Sequence, residues 1–239
     1  MMNRKICAWI DKTFYPNYTN RWDDLLFGKE LIQHLSLDVL LLDLGAGSGT
    51  NHYMNFRGKV ARVVGVDPDP SVLQNPFLDE AKIGKGENIP YKDREFHIII
   101  SVNTLEHLDN PEYVFKEVYR VLKPGGLFMI KTPNKRHYVP LISRLTPMWF
   151  HKFWNKMRGV EEKDVFPTKY KANDSRGLFQ LVNMAGFAVI SMELYEGRPE
   201  YLRIFWPLYF IGLIYERIVN QFSSLKNFRS IIIATFRKS

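Results

Sequence analysis

Three glycines stand at alternate positions in Leu41-Leu42-Asp43-Leu44-Gly45-Ala46-Gly47-Ser48-Gly49-Thr50. They follow an apolar run that reads as a buried strand, so the chain turns sharply where a sheet ends. Such a turn lets backbone approach a ligand closely. The dinucleotide fingerprint needs its third glycine five positions after the first; here that position is Thr50, and Gly49 comes one residue early. The spacing suits an adenosine ligand without a pyrophosphate better than NAD. Asp43 points the same way, because a carboxylate there repels a pyrophosphate and attracts an ammonium or sulfonium. A second acid, Asp67, closes the run Val63-Val64-Gly65-Val66 and precedes Pro68. An acid at the end of the next strand can accept hydrogen bonds from two ribose hydroxyls; alone it reads equally well as a turn residue.

These residues need a scaffold. Apolar runs at Leu40 to Leu44, Arg62 to Val66, Phe96 to Ser101 and Gly126 to Thr132 read as buried strands, each followed by a turn and mostly helix. A helix is expected from Asn110 as N-cap, with Pro111 at its first position and Pro124-Gly125-Gly126 stopping it after Lys123. A further helix is expected near Asp174 to Ala185, then strands at Phe187 to Glu193 and Ser230 to Phe236. Alternating strands and helices predict an α/β fold: a doubly wound, mostly parallel sheet that binds ligands outside the carboxyl ends of its strands. The 239 residues read as a single domain. Its parts are N-terminal helices or a lid over 1–38, a cofactor-binding core over 39–132, an acceptor cap over 133–173, and a C-terminal part over 174–239 with an aromatic and basic insertion.

The motifs resemble class I S-adenosylmethionine-dependent methyltransferases of the small-molecule type. The likeness runs in order through Asp43 to Gly49, Gly65-Val66-Asp67, Glu87-Asn88-Ile89-Pro90-Tyr91, Glu95 to Ser101, Leu105-Glu106-His107-Leu108 and Arg120 to Gly126. It implies a Rossmann-like seven-stranded sheet with an antiparallel last strand and S-adenosyl-L-methionine as cofactor. Asp43, Gly45, Ala46 and Gly47 would line its methionine end, Asp67 with Pro68 its ribose, Gly86 and Glu87 its adenine, and Ser101, Val102 and Asn103 the floor beneath the sulfonium. Many relatives place an Asp two residues before that Glu; this chain has Lys85. Tyr15, Tyr18 and Trp22 sit where such enzymes often close a lid, or else anchor the core.

Methyl transfer chiefly needs alignment of nucleophile, methyl and leaving sulfur. A hydroxyl acceptor also needs a base, and His107 and His137 are the candidates; His107 reads alternatively as a helix-start residue. His34, His52, His97 and His151 read as structural or solvent-facing. Asn134, in Thr132-Pro133-Asn134, either contacts the acceptor or caps its turn. Lys135, Arg136 and Tyr138 join it as substrate residues, with Trp149, Phe150, Phe153 and Trp154 beyond. No cluster has metal-ligand spacing, so no metal is expected, and the one cysteine, Cys7, excludes an internal disulfide framework.

Charge is localised. Residues 131–158 carry seven bases and no acid, and residues 197–239 carry seven bases against two acids; with the total at +8, the rest of the chain is −4. Both basic segments are rich in aromatics, which suggests one positive face. The stretch 201–229 reads either as a peripheral membrane contact or as a helix covering the sheet or a partner copy. No run reaches the roughly 20 apolar residues of a spanning helix, and no signal peptide is evident, so a cytoplasmic protein is expected. The reaction read from all this is methyl transfer, with an oxygen of a small-molecule, sugar-like or lipid-linked anionic acceptor preferred. The alternatives are an RNA methyltransferase, although the Asn/Asp-Pro-Pro-aromatic run of base-amino methylation is replaced by Ser101-Val102-Asn103-Thr104, and a cofactor-binding non-catalytic subunit.

Overall fold

The computed structural model describes residues 2–19, 21–146 and 167–239. The expected cap aromatics Trp149, Phe150, Phe153 and Trp154, together with His151, lie outside the described residues. The chain groups into two compact units.

The larger unit comprises 24–133, 168–193 and 232–239 and carries the sheet. In chain order it uses β1 (Leu40–Leu44), β2 (Arg62–Asp67), β3 (Glu80–Ile83), β4 (Phe96–Val102), β5 (Leu122–Pro133), β6 (Phe187–Tyr195) and β7 (Ile231–Lys238). The sheet order is β3-β2-β1-β4-β5-β7-β6, with β1 to β5 pairing in parallel and the last strand antiparallel. Order reverses between β1 and β4, which puts the carboxyl ends of β1, β2 and β4 around one crevice. Leu41, Leu42, Ile99, Ile100, Phe128 and Ile130 are wholly buried, as a sheet covered on both faces requires. α2 (Trp22–Ile32) joins this unit from Asp24 onward. Buried Lys131 on β5 makes an ion pair with buried Asp24.

Two expectations need correction. Helix α3 (Pro111–Val121) ends before Leu122, which is already extended and pairs with Phe96. Pro124-Gly125-Gly126 is therefore an irregularity inside β5 and not a helix stop: the register jumps from Phe96↔Leu122 to Ile98↔Leu127. Asn110 stands at the helix start without a side-chain cap. β3 was not expected at all, because it is a short edge strand of sequence Glu-Ala-Lys-Ile, half-buried to exposed, with no apolar run to announce it. Helix α5 (Ser175–Ala185) matches its expected span, with Asp174 Oδ1 accepting from Gly177 N–H at 2.7 Å and Gly186 closing it at φ +92°.

The second unit comprises 1–23, 134–167 and 194–231. It gathers parts of the three segments expected separately as lid, cap and insertion, while 24–38 and 168–173 fall in the larger unit. Its helices are α1 (Met2–Phe14), α4 (Tyr138–Leu145) and α6 (Trp206–Gln221). Pro207 sits in the first turn of α6, as its fixed φ favours. Cys7 and Ile10 of α1 pack with Tyr209 and Leu213 of α6.

Candidate cofactor site at the glycine loop

The loop after β1 is held open from below and from the side. Gly45 (φ +84°) and Gly47 (φ +51°) both take the left-handed conformation that side chains resist. Their surroundings differ. A Cβ on Gly45 would lie 2.1 Å from Thr104 Oγ1, so that glycine is required by packing. A Cβ on Gly47 would meet nothing within 4 Å, so there the backbone borders open space. Two side chains to which the sequence assigned no role buttress the loop. Thr104 Oγ1 donates to Leu44 O at 3.4 Å, or to Val102 O at 3.3 Å. Asn75 Nδ2 donates to Ala46 O at 3.0 Å and Gly47 O at 3.1 Å, while its Oδ1 accepts from Phe77 N–H at 2.9 Å. The Asn75-Pro76 turn dipeptide was the available signal.

The two acids meet at this loop. Asp67 Oδ2 accepts from Gly47 N–H at 2.9 Å and its Oδ1 accepts from Asp69 N–H at 2.8 Å. A carboxylate offers about four acceptor sites, so each oxygen keeps capacity after bracing the turn. Asp43 is buried on β1, opposite Gly65 of β2. Among the described residues its carboxyl makes no hydrogen bond. Burial, with the charge of Asp67 nearby, pushes it up to about 7. A buried acid without a hydrogen bond among the described residues, at the root of a loop that borders open space, is a place for a cation to bind.

The other core residues are placed as follows. Gly86 packs toward Val114 and Leu44, and Glu87 is half-buried. Pro68 is exposed at the turn after Asp67. Ser101 is fully buried and its Oγ donates to Leu44 O at 3.1 Å, so its hydroxyl serves the sheet. Val102 is half-buried, and Asn103 is exposed at φ +54° with its N–H donating to Lys131 O at 2.8 Å. His97 is structural: its Nδ1 accepts from Leu40 N–H at 2.9 Å.

His107 ends a single 3-10 turn, Leu105–His107, with its N–H donating to Thr104 O at 3.0 Å. Its Nε2 lies 3.9 Å from Glu106 Oε1, close enough for charge attraction and too long for a hydrogen bond. Glu106 is buried and burial raises its pKa. It heads a chain that the sequence did not reveal: Thr132 Oγ1 donates to Glu106 Oε2 at 3.1 Å, and Asn173 Nδ2 donates to Thr132 Oγ1 at 2.6 Å.

The candidate acceptor residues belong to the second unit. Asn134 is buried and committed: Nδ2 donates to Asn227 O at 2.8 Å and Arg229 O at 2.7 Å, and Oδ1 accepts from Arg136 N–H at 3.1 Å. Its turn-forming role is thereby filled, and little remains for an acceptor. His137 is buried as the N-cap of α4, its Nδ1 accepting from Val139 N–H at 3.5 Å. Burial drives it down to about 3, a poor setting for a base at neutral pH. Its Nε2 stands 3.3 Å from Glu196 Oε2 without hydrogen-bond geometry, and burial pushes Glu196 up to about 8. Tyr138 is half-buried, its ring tilted at 47° against His137 with centroids 4.0 Å apart, and edge-on to Tyr215 at 5.0 Å. Lys135 is half-buried and Arg136 exposed. Tyr15 donates to Glu216 at 3.1 Å, Tyr18 lies under Arg198, and Trp22 abuts Gly197, all in the manner of packing anchors.

Residues 42–130 match the methyltransferase domain family. Within that stretch the match supports a class I S-adenosylmethionine-dependent methyltransferase domain. A ubiquinone biosynthesis O-methyltransferase of Pseudomonas putida is 26% identical over 161 residues, 54% of this chain and 68% of that protein. A thiol S-methyltransferase of Rattus norvegicus is 30% identical over 161 residues, 61% of this chain and 65% of that protein. Alignments with the curated relatives span 36% to 68% of their lengths. A methyltransferase structure from Thermotoga maritima matches with a TM-score of 0.56 at 15% identity, covering 98% of this chain and all of that one, and so shares its fold. Among the described residues, no group of three His, Cys, Asp or Glu is placed to hold a metal.

Proposed function

We propose that this protein catalyses S-adenosylmethionine-dependent methyl transfer to an oxygen of a small-molecule, sugar-like or lipid-linked anionic acceptor. One observation carries the cofactor half of this reading: Gly47 borders open space in the loop that follows Asp43, a buried acid that makes no hydrogen bond among the described residues. When bound, the cofactor supplies an activated methyl on a sulfonium. Asp43 would hold its cationic amino-acid end and Asp67 would accept from its ribose hydroxyls through the lone pairs left after bracing Gly47 and Asp69. Gly86 and Glu87 would lie along the adenine.

His107 is the better base. Its side chain is one-third exposed, whereas His137 is buried and held uncharged. Glu106, steadied through Thr132 and Asn173, would orient the imidazole electrostatically. Lys135 and Arg136 would supply positive charge for an anionic acceptor. The relatives' names include both oxygen and sulfur methylation, so the oxygen assignment rests on a base being at hand. A lipid-linked acceptor would be met at a bilayer, which is why peripheral contact through 201–229 belongs to the same reading.

Calorimetry with S-adenosylhomocysteine tests the first half: micromolar binding that Asp43→Ala or Asp67→Ala weakens at least tenfold is expected, and no heat from the unmutated chain would refute it. With an acceptor in hand, His107→Gln should lower turnover by roughly 10² to 10⁴ and remove the acid limb of the pH–rate profile. An unchanged profile would remove His107 from the reaction.

A further inference from the structure

Helix α6 is apolar on two sides, and among the described residues only one of them is covered. On its inner side Tyr209, Leu213 and Val219 are buried, the first two against Cys7 and Ile10 of α1. On its outer side Phe210, Ile211, Ile214 and Ile218 recur at the spacing of one helix face and stand 43–60% exposed. Trp206 at one end and Phe222 at the other are also exposed. Single apolar residues on a surface are ordinary; a stripe of six along one helix marks an interaction site.

The charges around the stripe choose its partner. α1 and α6 contain two acids, Asp11 and Glu216. Asp11 is taken by Arg198, Arg203 and the Tyr209 hydroxyl. Glu216 is buried, accepting from Tyr15 at 3.1 Å and Asn220 at 2.7 Å. The cations Arg4, Lys5 and Lys12 on α1 and Lys226 in the turn after α6 are instead exposed, while Arg217 on α6 pairs with Glu216 at 3.4 Å. Exposed apolar side chains beside exposed positive charge are what the surface of an anionic bilayer receives, the former entering the acyl boundary and the latter facing lipid phosphates. The 16 residues of α6 extend about 24 Å. That falls short of a hydrocarbon core of about 30 Å, so the helix would lie in the interface. A second copy is the poorer occupant, because two-fold pairing places the same patch on both sides and sets two positive faces together.

We infer that the outer face of α6 and the cations of α1 dock this protein on the surface of an anionic bilayer. The inference rests on the lipid-linked reading of the acceptor only for its purpose; docking needs no methyl transfer, and the two fail separately.

Sedimentation of the full chain with vesicles of phosphatidylcholine, with and without phosphatidylglycerol, tests it. Binding to the anionic vesicles is expected, weakening by roughly tenfold or more between low and physiological salt. Ile214→Asp combined with Ile218→Asp should abolish it with thermal stability unchanged. Lys5→Glu combined with Lys12→Glu should weaken it by roughly tenfold or more. No binding to anionic vesicles at low salt would overturn the inference. So would equal binding by the double aspartate variant, or a dimer of the unmutated chain that this variant dissociates. Vesicle binding by a chain that fails to bind S-adenosylhomocysteine would instead sink the methyl-transfer reading and leave this one standing.

Discussion

The loop after β1 and the turn after β5 both leave the carboxyl end of a parallel strand, yet they spend their polar groups in opposite ways. After β5, Asn134 uses both amide protons and its carbonyl oxygen on neighbouring backbone, and His137 is buried as a helix cap. After β1, Gly47 faces open space and Asp43 is left without a hydrogen bond. Polar groups that are satisfied internally stabilise a fold. Those left poised beside free volume mark where a ligand supplies the missing partner. The contrast separates binding from scaffolding at positions that composition alone treats alike.

The sharpest way to break this comparison lies within the glycines. Gly45→Ala should both destabilise the protein by about 2–4 kcal/mol, from overpacking against Thr104 and left-handed strain, and abolish cofactor binding. Gly47→Ala meets no atom, so it should cost only about 1–2 kcal/mol of stability while still weakening S-adenosylhomocysteine by at least tenfold. Urea unfolding beside calorimetry separates the two, and equal stability losses would erase the distinction. Next in size, Asn134→Ala should lower stability by about 2–3 kcal/mol and leave cofactor affinity within about twofold; a selective loss of affinity would contradict the scaffolding role.

A further effect concerns pH. Asp43 is raised to about 7 in the folded state, against about 3.9 when unfolded. Between those values the unfolded chain has released a proton that the folded chain retains, so stability should fall as pH rises from about 4 to 7 and level off above. Asp43→Asn should remove that component, as melting temperatures across this range would show. A cationic ligand favours the ionised acid, so cofactor affinity should rise from pH 6 to 8 with proton release on binding. A flat profile in both measurements would mean that Asp43 does not govern this site.

Much of the sheet was legible from its apolar runs, and the glycine loop from its spacing, because both are local patterns. β3 was not, since an exposed edge strand gains its identity from pairing with Val64 to Asp67 and not from its own side chains. The bulge at Pro124-Gly125-Gly126 was misread for a related reason: the same residues stop a helix or kink a strand, and pairing with β4 decides between them. The buttress of Thr104 and Asn75 was invisible because it joins segments some thirty to sixty residues apart.

The sequence by itself determined the α/β class, the glycine turn and the two acids beside it, because strand periodicity and glycine φ preferences act over a few residues. Only the tertiary structure decided which side chains remain available to a ligand. Availability is what is left after hydrogen bonding and burial are settled, and those depend on partners that the chain meets only when folded. Thus Asn134 and Ser101 are consumed, Asp43 is left wanting, and one face of α6 is left bare.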